Sequence, residues 1–418
     1  MKINRSTKYL SILCFALVFT IGTYAQTNNT SSPYSLFGLG VETNSNVGRN
    51  SAMGRTGIAL DGFDQLNLYN PASFASIQRQ RFVFDFGVFT EFQNISSNDG
   101  DETRANSNFS NIAIGFNGNG KYGVGLSLKP ATSVGYELIG VQSNIEGSTG
   151  QFNTNILGSG GVNDVRLDYG RKIFDNLNVG VKLSYLFGNI EESETIVVQN
   201  SVLSIIEDNY YEGFQIGFGL QYKLAKKYNF GFTLDLPADL TATRDRVVER
   251  IANDGSFSLL EETTDQSLDN FSLPLRVGFG FSTKYENVLF SADYTSSFWS
   301  DTDQSEGVSN YVDQNVFALG AEYIKNPVSL KYWERINFRA GLNYNSGFLE
   351  VDDKKIDSYS LSLGMGLPVG RRLGSYLNIS YNVGKRGTTE SFLVQDNFST
   401  INLNLTLSGI WFQKRKYN

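Results

Sequence analysis

Apolar and polar residues alternate along most of the chain from residue 81 to its end. In a typical stretch, Val179, Val181, Leu183 and Tyr185 alternate with glycine, lysine and serine. Alternation of this kind gives a strand one apolar face and one polar face, and about ten such residues cross a membrane as a tilted strand. The pattern predicts about fourteen strands, at 81–93, 107–117, 121–130, 162–172, 178–189, 210–222, 228–236, 270–284, 288–298, 315–324, 336–346, 358–369, 375–385 and 398–412.

The connections between these strands alternate in length. Those after even-numbered strands are short, whereas those after odd-numbered strands other than the first are long and polar, as at 131–161, 190–209, 237–269 and 299–314. Long loops on one side and short turns on the other are typical of outer-membrane barrels, and a soluble β-sandwich has no reason for them. The sequence therefore predicts an all-β, transmembrane antiparallel β-barrel at 81–418.

The first 25 residues have the features of an export signal. Lys2, Arg5 and Lys8 precede a short apolar run at 10–21, and small residues before Gln26 suit cleavage by a signal peptidase. The run is shorter than the ~20 residues that span a bilayer as a helix, which disfavours the alternative of a membrane anchor. We expect a cleaved signal peptide at 1–25 and, with the barrel, a location in the outer membrane of a Gram-negative bacterium.

Composition narrows the classes of function. The 418 residues include no histidine and one cysteine, Cys14, which lies within the predicted signal. Catalytic triads that use histidine, imidazole metal sites and disulfide frameworks are therefore excluded. The formal net charge of −7 gives no basis for a nucleic-acid partner. We expect no enzyme activity, no catalytic residue, no metal site and no cofactor.

Residues 26–80 do not alternate. Glycine and small residues punctuate them, which is typical of a compact irregular segment and not of a free linker. Fourteen strands enclose a lumen that is too wide for wall side chains alone to fill. The sequence therefore predicts that 26–80 forms a plug, or hatch, inside the barrel.

Part of this segment resembles a known family. The residues that carry the resemblance are a glycine-rich stretch and an Asn-Pro-Ala motif, namely Met53, Gly54, Gly57, Asn70, Pro71 and Ala72. Together they resemble the N-terminal hatch of the FadL/OmpP1/TodX outer-membrane transporters, and the opening at 33–40 resembles the branch of these barrels found in Bacteroidota. The resemblance implies uptake of hydrophobic compounds, such as long-chain fatty acids or aromatics, through a plugged lumen with a lateral opening.

Several charged residues and one proline are candidate site residues. Arg49 and Arg55 of the plug are predicted to pair with Asp164 or Asp168 of the wall as a plug latch, or else to be solvated on the plug surface. Pro130 ends the third strand and cannot donate to a ladder. It therefore marks a candidate lateral opening like that of the resembled family, or simply the point where the strand leaves the membrane.

Two functions remain after this reasoning. The first is an outer-membrane channel or transporter for hydrophobic small molecules, with the membrane lipid and a hydrophobic ligand as partners. The alternative is a plugged barrel that binds proteins during secretion or outer-membrane assembly, similar to the PorV group. The long polar loops favour the alternative, whereas the hatch motifs favour transport.

Overall fold

The structure is a computed structural model of the full chain. It describes the ranges 32–43, 47–97, 100–144, 151–198, 201–225, 227–252, 254–302, 304–306, 309–370, 374–390 and 393–410. The predicted signal peptide, its cleavage site and the tail after residue 410 lie outside the described residues.

Fourteen antiparallel strands form the wall of the molecule, and we number them β1 to β14. Their bounds are Arg81–Ser97, Gly100–Asn117, Tyr122–Pro130, Gln151–Phe174, Leu177–Val198, Ser201–Leu224, Tyr228–Asp235, Arg276–Tyr285, Val288–Ser297, Gln314–Ile324, Asn337–Asn345, Ser358–Pro368, Tyr376–Gly387 and Gln395–Ile410. Each strand pairs with the next, and β14 returns to pair with β1, where Ile410 lies opposite Arg81. The predicted barrel of about fourteen strands is therefore confirmed.

The wall has the predicted two faces. Side chains that point outward are mostly large and apolar, as shown by Phe86, Leu126, Phe279, Phe317, Leu363 and Tyr381. Side chains that point inward are buried and often polar or charged, as shown by Asp85, Arg166, Asp168, Asp293, Glu322 and Arg339. No helix in the described ranges is long and apolar enough to cross a membrane.

Three predicted long loops are wrong, because they are strands. Beyond the apolar band, β4, β5 and β6 continue upward and are joined by three further strands, Thr132–Asn144, Ala238–Ala252 and Phe257–Leu273. We call this six-stranded extension the raised sheet. Above the membrane band both of its faces meet water or the protein's own side chains, so the alternation disappears although the ladder continues. For that reason the sequence pattern failed at 131–161, 190–209 and 237–269.

The described part of the N-terminal segment, from residue 32 to residue 80, lies inside the ring of strands. It contains two 3-10 turns, Pro33–Leu36 and Pro71–Ser76, one α-helical turn, Gly48–Ser51, and the two-residue strand Val41–Glu42. Its N-terminal residues lie at the end of the barrel that carries the raised sheet, and the Pro71–Ser76 turn lies near the short turns.

Inward glycines allow the plug to lie directly against the wall. A Cβ at Gly123 would overlap the Phe74 carbonyl, and a Cβ at Gly341 would overlap the backbone of Gly54. Because glycine has no side chain, the plug backbone comes close enough to bond with the wall.

Candidate functional site: the plugged lumen

Asn70 anchors the lower part of the plug to the wall. Its side-chain oxygen accepts a bond of 3.0 Å from the Ala72 amide and so caps the turn that begins at Pro71. Its Nδ2 donates to the carbonyls of Ile58, at 2.9 Å, and of Leu220 on β6, at 3.0 Å. The Asn-Pro-Ala motif therefore forms a capped turn that is also bonded to the barrel, and Ala72 is fully buried within it.

The glycine-rich stretch of the plug contacts the opposite wall. The Gly54 amide donates to Ser362 Oγ at 2.9 Å, with Gly54 in the left-handed region at φ 63°. The amides of Gly57 and Ile58 both donate to one oxygen of Asp293 on β9, at 2.6 and 2.9 Å. Met53 is fully buried between these contacts. A carboxylate that accepts two plug amides holds this stretch in one position.

Arg49 forms an ion pair between the plug and the wall. Its Nη2 lies 2.9 Å from Glu322 Oε1, and Arg339 Nε lies 2.7 Å from Glu322 Oε2. The predicted partners Asp164 and Asp168 are therefore wrong for Arg49. They lie on β4, whereas the helical turn that carries Arg49 faces Glu322 on β10.

Asp164 and Asp168 pair with residues of the wall instead. Asp168 and Arg166 form a buried pair at 2.8 Å, and Asp164 lies 3.6 Å from Lys129 Nζ. The second predicted latch residue, Arg55, forms no ion pair with any described carboxylate. It adopts φ 67° and faces open space in the lumen.

Above the plug the lumen contains a cavity of about 300 Å³. The part of its wall towards the raised sheet is apolar and includes Leu39, Val162, Leu186, Phe271, Trp299 and Phe348. Trp299 stacks on Phe348 with ring centroids 4.9 Å apart. The remainder of the wall carries charged pairs, such as Lys182 with Asp235 at 2.8 Å. The cavity is therefore amphipathic, with an aromatic roof and a charged floor.

Two residues that line this cavity have a donor group with no partner among the described residues. The indole N–H of Trp299 is buried, with 94% of the residue removed from solvent, and it donates to no acceptor among the described residues. The second is the Arg55 guanidinium described above. The Trp299 N–H is closed off from water, whereas the Arg55 guanidinium faces open space, so the cavity is suited to a ligand that supplies acceptor atoms to Arg55.

A seam opens in the wall beside Pro130. The ladder between β2 and β3 runs only from Asn117–Gly123 to Ile112–Leu128, and the described residues of β2 before Ile112 pair with β1 alone. Past Pro130 the chain stays paired with β4 but not with β2. Across the seam Arg104 Nη2 lies 3.6 Å from Glu137 Oε2. Pro130 therefore stands close to where the wall separates, and its part in a lateral opening stays a prediction.

The plug covers the inner side of this seam. Val41 and Glu42 pair with Ser133 and Thr132 as a short ladder, and Thr43 Oγ1 donates to the Pro130 carbonyl at 2.6 Å. Glu42 is also 2.5 Å from Arg276 on β8. One strand of the plug thus joins the seam to the far side of the lumen.

Sequence reasoning missed the aromatic roof. Trp299 and Phe348 follow the predicted strands 288–298 and 336–346, and Phe271 is the second residue of the predicted strand 270–284, so the alternating pattern did not distinguish them. The available signal was the position of single aromatic residues directly after strands on the long-loop side. The described residues contain no group of three or more side chains arranged to hold a metal ion.

A comparison with family profiles gives a match over nearly the whole chain. The profile of BamG matches residues 7–418. The chain belongs to the BamG family. No curated protein matches it by sequence.

Solved structures show the same architecture for this BamG-family chain. The toluene transporter TodX of Pseudomonas putida superposes with a TM-score of 0.62 and 15% identity, covering 90% of this chain and 100% of TodX. The monoaromatic hydrocarbon channel CymD gives 0.59 and 16%, covering 87% and 98%. A FadL homologue of Pseudomonas aeruginosa gives 0.59 and 12%, covering 89% and 100%. The predicted FadL-like fold is confirmed.

Proposed function

We propose that this protein is an outer-membrane channel for hydrophobic small molecules that carry a hydrogen-bond acceptor, preferably an anionic one. The observation that supports this most directly is the cavity above the plug, with its aromatic roof and two unpaired donors. The apolar wall favours a hydrocarbon part of the ligand, and the unpaired Arg55 guanidinium favours a polar head. The fold shared with channels for toluene and other monoaromatic hydrocarbons supports passage of a hydrophobe.

The route follows from the same features. A ligand enters the lumen from the side of the raised sheet, binds beneath the aromatic roof, and leaves through the seam beside Pro130 once plug residues 41–43 move. The outward apolar band and the barrel fold support insertion in a Gram-negative outer membrane, after removal of the signal at 1–25. On this proposal the protein acts without chemistry of its own, and the Bacteroidota-type branch is its proposed origin.

The experiment compares two ligands on purified, detergent-solubilised protein. A fluorescent long-chain carboxylate and its methyl ester are titrated against wild type, Arg55→Gln and the control Arg79→Gln, which alters an exposed arginine at the short-turn end. Loss of a charged hydrogen bond costs about 1.5–3 kcal/mol, so R55Q should weaken carboxylate binding about 10- to 150-fold. The methyl ester should bind R55Q as tightly as it binds wild type, and R79Q should bind both probes as wild type does.

Two results would contradict the proposal. If neither probe binds wild type, the cavity is not a ligand site. If R55Q binds the carboxylate as tightly as wild type, the anion does not lie at Arg55.

A second candidate function is favoured by one observation. The raised sheet extends well past the membrane band and presents apolar and acidic side chains that no described part of the chain covers. We therefore retain, as a second proposal, a role as a protein-binding barrel in secretion or outer-membrane assembly.

A further inference from the structure

The outer face of the raised sheet carries an exposed apolar row near its tip. Val197, Val202, Ile251 and Phe257 lie side by side on four neighbouring strands. Phe257 is 59% exposed, and Leu259 beside it on the next outward row is half exposed. β5 has 22 residues, whereas ~9–11 suffice to cross the bilayer, so this row stands beyond the lipid. Apolar side chains exposed together in water are typical of a binding surface.

An acidic row crosses the same face closer to the membrane. Glu191, Asp208 and Asp245 lie opposite one another on three strands, and the Asp265 amide donates to Asp245 at 2.8 Å. The row is six residues, or roughly 20 Å, below the apolar row. None of these carboxylates pairs with a described lysine or arginine, since Arg244 and Arg246 contact Glu207 on the opposite face. Like charges placed directly opposite each other destabilise a sheet unless something compensates them.

The strand at this side of the sheet has an open edge. Phe257–Leu273 pairs with Ala238–Ala252 on one side and, among the described residues, with no strand on the other. It contains Glu261, Glu262, Asp265 and Asp269 but no lysine, arginine or proline. Lysine and proline are common devices that prevent edges from pairing. This edge instead carries only negative charge, which repels acidic strands and attracts basic ones.

We infer that this surface, the apolar row, the acidic row and the edge strand 257–273, docks a protein partner whose exposed strand carries, on one face, apolar residues near one end and basic residues near the other. The partner's apolar side chains pack on Ile251 and Phe257, and its lysines or arginines form ion pairs with the acidic row. The partner's backbone pairs with the open edge, as in strand addition. The inference rests on the second candidate function and does not require transport.

The charge of the surface decides the kind of partner. A surface that binds lipid usually carries basic and aromatic residues, whereas this acidic row would repel the anionic headgroups of an outer leaflet. A second copy of this chain would place acidic edge against acidic edge. A protein segment with both apolar and basic side chains covers the apolar row and neutralises the acidic row at once.

The test uses the full-length protein in detergent and two short peptides, each with valines on one face near one end and, about six residues further along the same face, either lysines or glutamates. Fluorescence anisotropy gives Kd, and hydrogen exchange locates the site. We expect the lysine peptide to bind, more weakly at higher salt, and to protect amides within 257–268. The double variants Phe257→Ser/Leu259→Ser and Asp208→Asn/Asp245→Asn should each raise Kd at least tenfold.

A matched control separates a specific surface from general stickiness. Ile139→Ser alters an apolar residue on the opposite edge strand that is at least as exposed as Phe257, and it should leave Kd unchanged. In cells, a photo-crosslinker at Leu260 should form a discrete protein adduct that the Phe257→Ser/Leu259→Ser variant loses.

Other outcomes overturn the inference. It would be contradicted if both peptides bound equally or if the lysine peptide protected amides only in the lumen. It would also be contradicted if calcium at the acidic row displaced the lysine peptide, or if the crosslinker formed adducts with lipid alone. A protein adduct that forms at Leu260 but does not depend on Phe257 would also contradict this surface, while leaving the second candidate function in place. Carboxylate binding at Arg55 should be the same in all these variants, so failure here is distinguishable from failure of transport.

Discussion

Glu322 connects the plug to the wall. Neutralising it should destabilise the protein more than neutralising its plug partner Arg49. Its two oxygens serve separate arginines, Arg49 of the plug and Arg339 of the wall. Arg339 has a fully buried side chain and also donates to Asn378 at 2.7 Å. Glu322→Gln would therefore leave two buried cations facing a neutral amide.

The two single variants should lower the free energy of unfolding by different amounts. Removing the carboxylate from a buried pair costs about 3–5 kcal/mol, because an uncompensated charge remains. Arg49→Gln leaves Glu322 paired with Arg339 and should cost about 1–3 kcal/mol. In the double variant one of the stranded cations is absent, so its cost should be smaller than the sum of the two single costs by at least ~1 kcal/mol.

The assay is urea unfolding in detergent micelles, followed by the shift of the folded barrel on unheated gels, with single-channel conductance as a second reading. E322Q should have the lower midpoint of the two, and R49Q should show more frequent openings with nearly normal barrel stability. The reasoning is refuted if R49Q destabilises as much as E322Q, or if the two costs are additive.

Three further changes test other contacts of the plug. Asp293→Ala removes the acceptor of two plug amides and should increase conductance, whereas Asp293→Asn keeps an oxygen there and should change it much less. Gly341→Leu should also displace the plug and increase conductance, whereas Ala340→Leu on the lipid-facing side should not; equal effects would contradict the close approach of plug and wall. Burial raises the pKa of Tyr34 to about 12, and its hydroxyl donates to the Val394 carbonyl at 2.6 Å. The neutral phenol therefore contributes stability that is complete below pH 10 and lost as pH rises towards 12, so Tyr34→Phe should flatten the loss of plug protection, measured by hydrogen exchange, between those pH values.

The wall could be predicted because its signal is local. In β5 each residue from Val179 to Tyr185 shows by its own character which side of the wall it faces. The same rule fails for Phe257–Leu273, in which nearly every residue is exposed on either face and no alternation distinguishes them. Strand pairing there is specified by neighbours and not by the strand's own pattern.

The contacts of the plug could not be predicted for a different reason. Alternation indicates which side chains of a strand face the lumen, but it does not give their height in the barrel or their position around its axis. Arg49 and Glu322 are 273 residues apart in sequence, so only the folded barrel determines that they meet. The hatch motif was recognisable because Asn70 and Pro71 form a local turn, whose cap depends on residues next to it.

The plug and the seam should move together, because one short ladder joins them. Val41 lies opposite Ser133, and antiparallel partners have Cα atoms about 4.5–5.5 Å apart, within the range of a disulfide. The only natural cysteine, Cys14, lies in the predicted signal, so the variant Val41→Cys/Ser133→Cys introduces the only pair. When oxidised, it should fix residues 41–43 over the seam, stop uptake of the long-chain carboxylate and leave its binding intact. Reductant should restore uptake, and the single variant Ser133→Cys should transport under both conditions. If uptake continues in fully cross-linked protein, the ligand does not leave through the seam beside Pro130, and the plug must open elsewhere.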